Sequence, residues 1–257
     1  SIFQLSMELY DTKSEKVVWS ERWQKSWSDF PSIGDVLSEN ILEILKVEQR
    51  TNAQKIALNP DTRIVFVDGP AGTSKTLLAT YCGLQLLNMK AASDICYLRS
   101  AVESSDSHLG FLPGSAEDKL RFYNLPFLDK LDELLTTTKV TKLEEQGRVS
   151  MFPINFARGL HWPDKVIIMD EAQNSTKQEI TTVLTRMGKN CRCFVLADPM
   201  QTDLRRYTGG FKSLFETFDD DDSKEMGIHT FEFTEDDIMR SELVKYIVKK
   251  LDTTNNE

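Results

Sequence analysis

The sequence has no apolar run long enough to cross a membrane and no signal-peptide pattern. A spanning helix needs about 20 apolar residues, so we expect a cytoplasmic protein with no membrane partner. The sequence also has no excess of basic charge, because 31 Lys and Arg face 40 Asp and Glu, for a formal net charge of −9. No overall positive field therefore favours tight, non-specific binding to duplex nucleic acid. The net charge does not exclude a local basic groove.

Cysteine is scarce. The four cysteines are Cys82, Cys96, Cys191 and Cys193. The last two are separated by one residue rather than the two of a zinc knuckle, and no second pair exists. This spacing favours small, buried apolar side chains in a reducing compartment over a zinc site.

A glycine-rich stretch lies between a predicted strand and a predicted helix. The strand, residues 64–68, is short, apolar and β-branched, and the helical pattern runs over residues 77–90. In this context the backbone N–H groups of the stretch can surround an anion at the positive end of the helix dipole. The predicted phosphate-binding set is Gly69, Pro70, Ala71, Gly72, Thr73, Ser74, Lys75, Thr76 and Leu77.

Lys75 and Thr76 carry the chemistry of this loop. We expect Lys75 to reach the β- and γ-phosphates of a nucleotide and the Thr76 hydroxyl to bind Mg²⁺. The usual pattern has glycine at the position of Ser74, and serine fits only if no glycine-only conformation is needed there. An ordinary turn between strand and helix that happens to contain Lys and Thr is the alternative.

Strand and helix patterns alternate along the rest of the chain, which predicts an α/β fold with a parallel sheet and helices on both faces. The pattern is least regular over residues 104–146, where an amphipathic run at 117–135 predicts a helix near the ligand edge. The aspartates at 219–222 read as a solvated turn. The further candidate strands are residues 95–98, 166–170, 193–197 and 230–233.

Two of these predicted strands end in polar side chains. Asp170 ends the first, where a carboxylate would hold Mg²⁺. Glu171 would act as a general base toward water, and Gln173 follows within reach of a γ-phosphate. Asp198 and Gln201 follow the second strand, and open α/β sheets bind ligands at such carboxyl ends. Taken alone, Asp198 suits a turn equally well.

The first 47 residues predict a ββα appendage. Alternating apolar residues at 3–10 and 17–27 indicate a hairpin, and apolar spacing over 33–45 indicates a helix. The run from Val18 to Arg22 and this helix resemble the closing part of TolB-like domains. We therefore expect an appendage at 1–47 and a second domain at 48–257.

The ordered motifs of residues 50–251 resemble the PhoH-like family of P-loop ATPases, whose core is similar to the first RecA-like domain of superfamily 1 helicases. The resemblance rests on Gln54, the loop at 69–76 and a series of short runs. These runs are residues 97–100, 110–114, 155–159, 170–174, 184–186, 198–201 and 237–240.

The resemblance implies ATP binding and hydrolysis with Mg²⁺, assembly into a homo-oligomer such as a ring, and RNA or single-stranded DNA as candidate partners. It implies that Gln54 reads adenine and that Gln173 and Gln201 sense the γ-phosphate. It makes Arg240 the arginine that stabilises transition-state charge, supplied within or between subunits. Further candidates for phosphate or subunit contacts are Arg99, Arg158 and Arg186, for which a surface ion pair is the alternative.

Three positions depart from the family pattern: Ser74 and Ala197 replace glycine, and Leu160 replaces arginine. The first bears on phosphate geometry and the last on a nucleic-acid or intersubunit contact.

One alternative function is a nucleotide-dependent assembly module with little or no turnover. A stand-alone helicase is disfavoured because such enzymes pair two RecA-like domains and this chain has room for one.

Overall fold

An antiparallel hairpin opens the computed structural model, which describes residues 2–11, 16–26, 48–99, 116–157, 159–198 and 210–238. Strand β1 (Ile2–Asp11) pairs with β2 (Lys16–Ser26), and Leu5 lies opposite Trp23. The predicted hairpin is therefore confirmed. The helix predicted at 33–45 lies outside the described residues, so the appendage boundary at residue 47 stays a prediction.

A six-stranded sheet forms the rest of the strand structure, and every neighbouring pair of strands in it is parallel. The spatial order is β5-β4-β6-β7-β3-β8. The predicted α/β fold is confirmed, and the architecture agrees with a RecA-like core. The strands are β3 (Ile64–Asp68), β4 (Asp94–Arg99), β5 (Val149–Pro153), β6 (Lys165–Asp170), β7 (Arg192–Leu196) and β8 (Ile228–Glu232).

Strand β5 was not predicted from the sequence. It lies at the edge of the sheet, pairs only with β4 and leaves most of its residues partly exposed. An edge strand does not need the continuous apolar run that marks strands buried on both faces. Its sequence therefore resembles an ordinary loop.

Seven α-helices lie within the described ranges. They are α1 (Glu48–Leu58), α2 (Lys75–Asn88), α3 (Ala116–Leu134), α4 (Thr137–Glu145), α5 (Lys177–Leu184), α6 (Phe211–Thr217) and α7 (Asp221–Glu225). The aspartate run at 219–222, predicted as a solvated turn, is exposed as expected, but its last two residues begin α7. Asp220 caps this helix by accepting a hydrogen bond from the Ser223 N–H at 2.7 Å. Acidic residues at a helix N-terminus accept hydrogen bonds from its free N–H groups and interact favourably with the positive end of the helix dipole.

Side chains that alternate along the strands build one apolar cluster on each face of the sheet. Val65 and Val67 of β3 belong to the cluster that holds residues of α1, α2 and α3. Phe66, between them in sequence, belongs to the cluster with residues of α5 and α6. Helices therefore cover both faces, as the alternation of strands and helices predicted.

All four cysteines are buried and free. Burial raises the pKa of the Cys82, Cys96 and Cys191 thiols to about 12 and that of Cys193 well above its ordinary value. The prediction of small, buried apolar side chains is confirmed. Among the described helices none is long and apolar enough to cross a bilayer.

Candidate functional site

The loop after β3 passes close to the end of β8, and a glycine makes this approach sterically feasible. Gly69 has φ +151°, and a Cβ there would lie 2.7 Å from Cβ of Phe233, the residue after β8. Real Cβ atoms essentially never approach each other so closely. Glycine at position 69 therefore sets the path of the loop over the carboxyl edge of the sheet.

Ser74 occupies the position where the sequence pattern leads us to expect glycine. Its φ of 64° and ψ of 29° lie in the left-handed region, directly before α2. A non-glycine residue adopts this conformation at a cost of roughly 1–2 kcal/mol. Serine is thus compatible with the loop geometry, and the departure from the pattern leaves the turn intact.

The ammonium group of Lys75 lies inside the loop. Its Nζ donates hydrogen bonds to the carbonyl oxygens of Gly69 at 2.6 Å and Pro70 at 2.9 Å. Burial lowers the pKa of Lys75, while the carboxylates of Asp198 and Asp170 oppose that shift. Two carbonyl oxygens therefore hold the ammonium group at the N-terminal end of α2, beside the free N–H groups with which a helix begins and which suit an anion.

The carboxylate of Asp170 receives three hydrogen bonds. Its Oδ2 accepts from the hydroxyl of Thr76 at 3.0 Å and from that of Tyr97 at 2.8 Å. Its Oδ1 accepts from the Glu171 N–H at 3.0 Å. Burial and the charge of Asp170 raise the pKa of Tyr97 well above its ordinary value, so the phenol stays protonated and donates. Tyr97 begins the run at 97–100, and nothing in the sequence pattern indicated this role for it.

Thr76 and Asp170 together suit a magnesium ion. Their hydroxyl and carboxylate oxygens lie 3.0 Å apart beside the glycine-rich loop. Magnesium prefers oxygen ligands and is usually held by one or two carboxylates with substrate phosphates and water. The donor set therefore fits this ion.

Glu171 follows β6 with a left-handed backbone, φ 54° and ψ 38°. Its Oε2 accepts a hydrogen bond from Nε2 of Gln173 at 2.6 Å, and Nη2 of Arg99 lies 3.8 Å from its Oε1. Burial, followed by the charge of Asp170, raises the pKa of Glu171, and Gln173 and Arg99 oppose this. A carboxylate with a raised pKa is a stronger base, as proton abstraction near neutral pH requires.

The side chain of Gln173 joins the ends of two neighbouring strands. It is only 4% exposed. Its Nε2 binds Glu171 after β6, and its Oε1 accepts from the Asp198 N–H after β7 at 3.0 Å. The Gln173 amide therefore links the Glu171 carboxylate to the backbone at the end of β7 and fixes their relative position.

Lys75, Thr76, Glu171 and Gln173 line one cavity of about 440 Å³. Strands β3, β7 and β6 are neighbours, so the polar groups at their carboxyl ends meet there. Helix α3 adds Lys130 and Glu133, which sequence reasoning missed because a helical pattern does not say what its polar side chains face. The lining is Ala71, Gly72, Ser74, Lys75, Thr76, Leu77, Lys130, Glu133, Glu171, Gln173 and Asp198.

Two other predicted site residues that the structure describes do not line this cavity. Gln54 lies half-buried on α1 and is not among the lining residues. Arg186 is exposed in the turn after α5. Gln201, Arg158 and Arg240 lie outside the described residues.

The two remaining departures from the family pattern occupy different environments. Ala197 is 1% exposed, and its N–H donates to the Val67 carbonyl at 3.0 Å. Leu160 is exposed after the short helix at 154–157. The first is therefore part of the packed core, and the second presents an apolar side chain to solvent.

Comparison with known proteins gives consistent matches. A family model described as "PhoH-like protein" matches residues 42–252. A PhoH-like protein of Synechocystis sp. is 31% identical over 214 residues, which cover 83% of this chain and 64% of the relative. One of Mycobacterium tuberculosis is 36% identical over 186 residues, 72% and 51% of the two chains. One of Bacillus subtilis is 32% identical over 216 residues, 82% and 65%. The chain thus spans about half to two thirds of the length of these curated relatives.

Proposed function

The chain belongs to the PhoH-like protein family, and on that premise we propose that it binds ATP with Mg²⁺ and hydrolyses it. The observation that carries the proposal is the meeting of three strand ends in one cavity. There Lys75, Thr76 and Glu171 line a space of about 440 Å³, and the Thr76 hydroxyl donates a hydrogen bond to Asp170 behind it. A cation, a magnesium ligand pair and a base are what phosphoryl transfer to water requires.

Phosphate binding would change the partners of Lys75. Its ammonium now donates to two loop carbonyls, and the phosphates of ATP offer stronger, charged acceptors. The loop N–H groups and the dipole of α2 add to this attraction. When bound through Thr76 and Asp170, Mg²⁺ would neutralise charge on the β- and γ-phosphate oxygens.

Glu171 is the proposed general base. Its carboxylate takes a proton from water while the water oxygen attacks the γ-phosphorus. The bond from that phosphorus to the β–γ bridging oxygen breaks, and ADP and phosphate leave. Gln173 fixes the carboxylate through its 2.6 Å hydrogen bond. The roles of Gln54, Gln201 and Arg240, in adenine binding, γ-phosphate sensing and charge stabilisation, belong to the same proposal.

Assembly and partners extend the proposal and rest on the resemblance. They are a homo-oligomer, with Arg240 serving a neighbouring subunit, and RNA or single-stranded DNA as a ligand that stimulates turnover. A cytoplasmic location goes with them. Light scattering with and without ATP, and phosphate release with and without single-stranded RNA or DNA, test these points.

Phosphate release by Glu171→Gln and Lys75→Ala tests the central claim. We expect Glu171→Gln to lower turnover by about 10²-fold or more while ATP still binds, and Lys75→Ala to abolish binding. Glu145→Gln and Lys142→Ala, both on α4, are the matched controls. Undiminished hydrolysis by Glu171→Gln would remove that residue from the base role. ATP binding and assembly without turnover by the unaltered protein would favour the assembly module instead.

A further inference from the structure

Helix α3 reaches the candidate nucleotide cavity from outside the strand-end loops. It lies between β4 and β5 in the chain, and its Lys130 and Glu133 line the cavity with Lys75 and Glu171. The two side chains form an ion pair with each other. A cation on a separate element, beside the proposed phosphate site, calls for a physical explanation.

The position of α3 is set by a buried stacking contact. Phe127 stacks on Tyr97 with ring centroids 4.4 Å apart and an angle of 7° between the ring planes. Phe127 and Leu131 are fully buried, one helical turn apart. The Tyr97 hydroxyl in turn binds Asp170. The helix is therefore fixed relative to the proposed magnesium ligand, and its Lys130 shares the cavity with Glu171, the proposed base for attack at the γ-phosphorus.

Charge in the cavity favours a role for Lys130 in binding an anion. The lining carries the ammonium groups of Lys75 and Lys130 against the carboxylates of Glu133, Glu171 and Asp198. ATP with one Mg²⁺ brings about two further negative charges. Lys75 by itself leaves the occupied cavity strongly negative, so a second cation that turns toward the nucleotide would reduce this repulsion.

The present partner of Lys130 holds it only weakly. The side chains of Lys130 and Glu133 are 32% and 48% exposed. Exposed ion pairs of this spacing contribute little and are screened by salt. A phosphate oxygen inside the cavity is a stronger acceptor for an ammonium group. The Lys130 ammonium should therefore bind a phosphate oxygen in preference to the Glu133 carboxylate.

We propose that Lys130 is a nucleotide-contacting residue whose ammonium leaves Glu133 and binds the γ-phosphate of ATP, so that α3 distinguishes ATP from ADP. The proposal rests on the proposed nucleotide binding and adds a specificity residue to it. Glu133 acts as a competitor for Lys130 when the γ-phosphate is absent.

Calorimetric titration with ATP and with ADP, each with Mg²⁺, tests this, using Glu171→Gln as the common background to prevent turnover. We expect Lys130→Ala to weaken ATP binding by about ten- to a hundredfold and ADP binding by less than about threefold. Glu133→Gln releases Lys130 and removes a negative charge, so ATP should bind several-fold more tightly. Lys142→Ala, on α4 and lining a separate cavity, is the matched control.

An equal loss of ATP and ADP affinity in Lys130→Ala, or no loss, would overturn the proposal, as would weaker ATP binding by Glu133→Gln. Thermal melts of each variant establish that a loss of affinity does not come from unfolding. A background protein that binds neither nucleotide would overturn the proposed function, and the role of Lys130 with it.

Discussion

The hydroxyl of Tyr97 donates a 2.8 Å hydrogen bond to Oδ2 of Asp170. The same oxygen accepts from Thr76, so hydroxyl groups from β4 and α2 hold one carboxylate in place. Tyr97 is fully buried and has its ring stacked on Phe127. If Asp170 holds Mg²⁺ as proposed, packed neighbours have already ordered its carboxylate before the ion binds.

Tyr97→Phe removes this hydrogen bond and keeps the ring stacked on Phe127. Because a hydrogen bond to a charged group contributes about 1.5–3 kcal/mol, we expect half-maximal ATP turnover to need about tenfold more Mg²⁺. A magnesium titration measures this. Tyr81→Phe, on α2, is the matched control. An unchanged magnesium midpoint with lowered stability would make Tyr97 a packing residue only.

Gly69→Ala should disrupt the proposed phosphate-binding loop. Its new Cβ would lie 2.7 Å from Cβ of Phe233, and such overpacking costs about 1–3 kcal/mol or displaces the backbone. We expect a clear fall in the urea midpoint and loss of nucleotide binding. Gly147→Ala is the matched control. Gly147 has φ +64° and nothing within 4 Å of the added Cβ, so its substitution costs only the strain of a left-handed backbone. Equal destabilisation by both changes would contradict the steric argument.

Asp68 should make stability depend on pH. Burial, with the charges of Glu232 and Asp198, raises the pKa of Asp68 from 3.8 to about 6. The folded protein therefore binds more protons than the unfolded chain between these values. The stabilising contribution is complete below pH 4 and is lost as pH rises through 6. The asparagine of Asp68→Asn cannot ionise. The melting temperature of this variant, relative to that of the unaltered protein, should therefore rise between pH 4 and pH 7.

The control for this change is Asp129→Asn, an exposed aspartate on α3. Its difference in melting temperature from the unaltered protein should stay constant over the same range. A constant difference for Asp68→Asn as well would show that Asp68 has no raised pKa in the folded state.

Gln173→Glu should shift the pH dependence of ATP turnover. It places a second carboxylate where an amide now donates to Glu171 at 2.6 Å. Like charges at this distance raise the pKa of Glu171 further. Because the base must be ionised, we expect the acid limb of the pH–rate profile to move upward by about one unit. Gln178→Glu, exposed on α5, should leave the profile in place, and an unmoved limb in Gln173→Glu would argue against Glu171 as the base.

Local patterns in the sequence were enough to identify the glycine-rich loop between β3 and α2 and five of the six strands of the parallel sheet. Short apolar runs and glycine-rich turns express constraints that act within a few residues, such as burial on both faces or a left-handed backbone. Strand β5 was missed because its edge position imposes no such pattern. The left-handed conformation of Ser74 was also beyond reach, because serine occurs in many backbone conformations.

Neighbour relations in space were decided only by the tertiary structure. Strand β7 lies between β3 and β6, although it follows both in the chain, and this order carries the Asp198 N–H to Gln173. Thr76 and Asp170 are separated by 94 residues yet share a hydrogen bond, and α3 brings Lys130 to the same cavity. Periodicity reports that one side of a strand or helix is buried but not which element covers it. The sequence thus indicates which residue types belong to the candidate site. The order of the strands in the sheet decides which of these side chains lie close together.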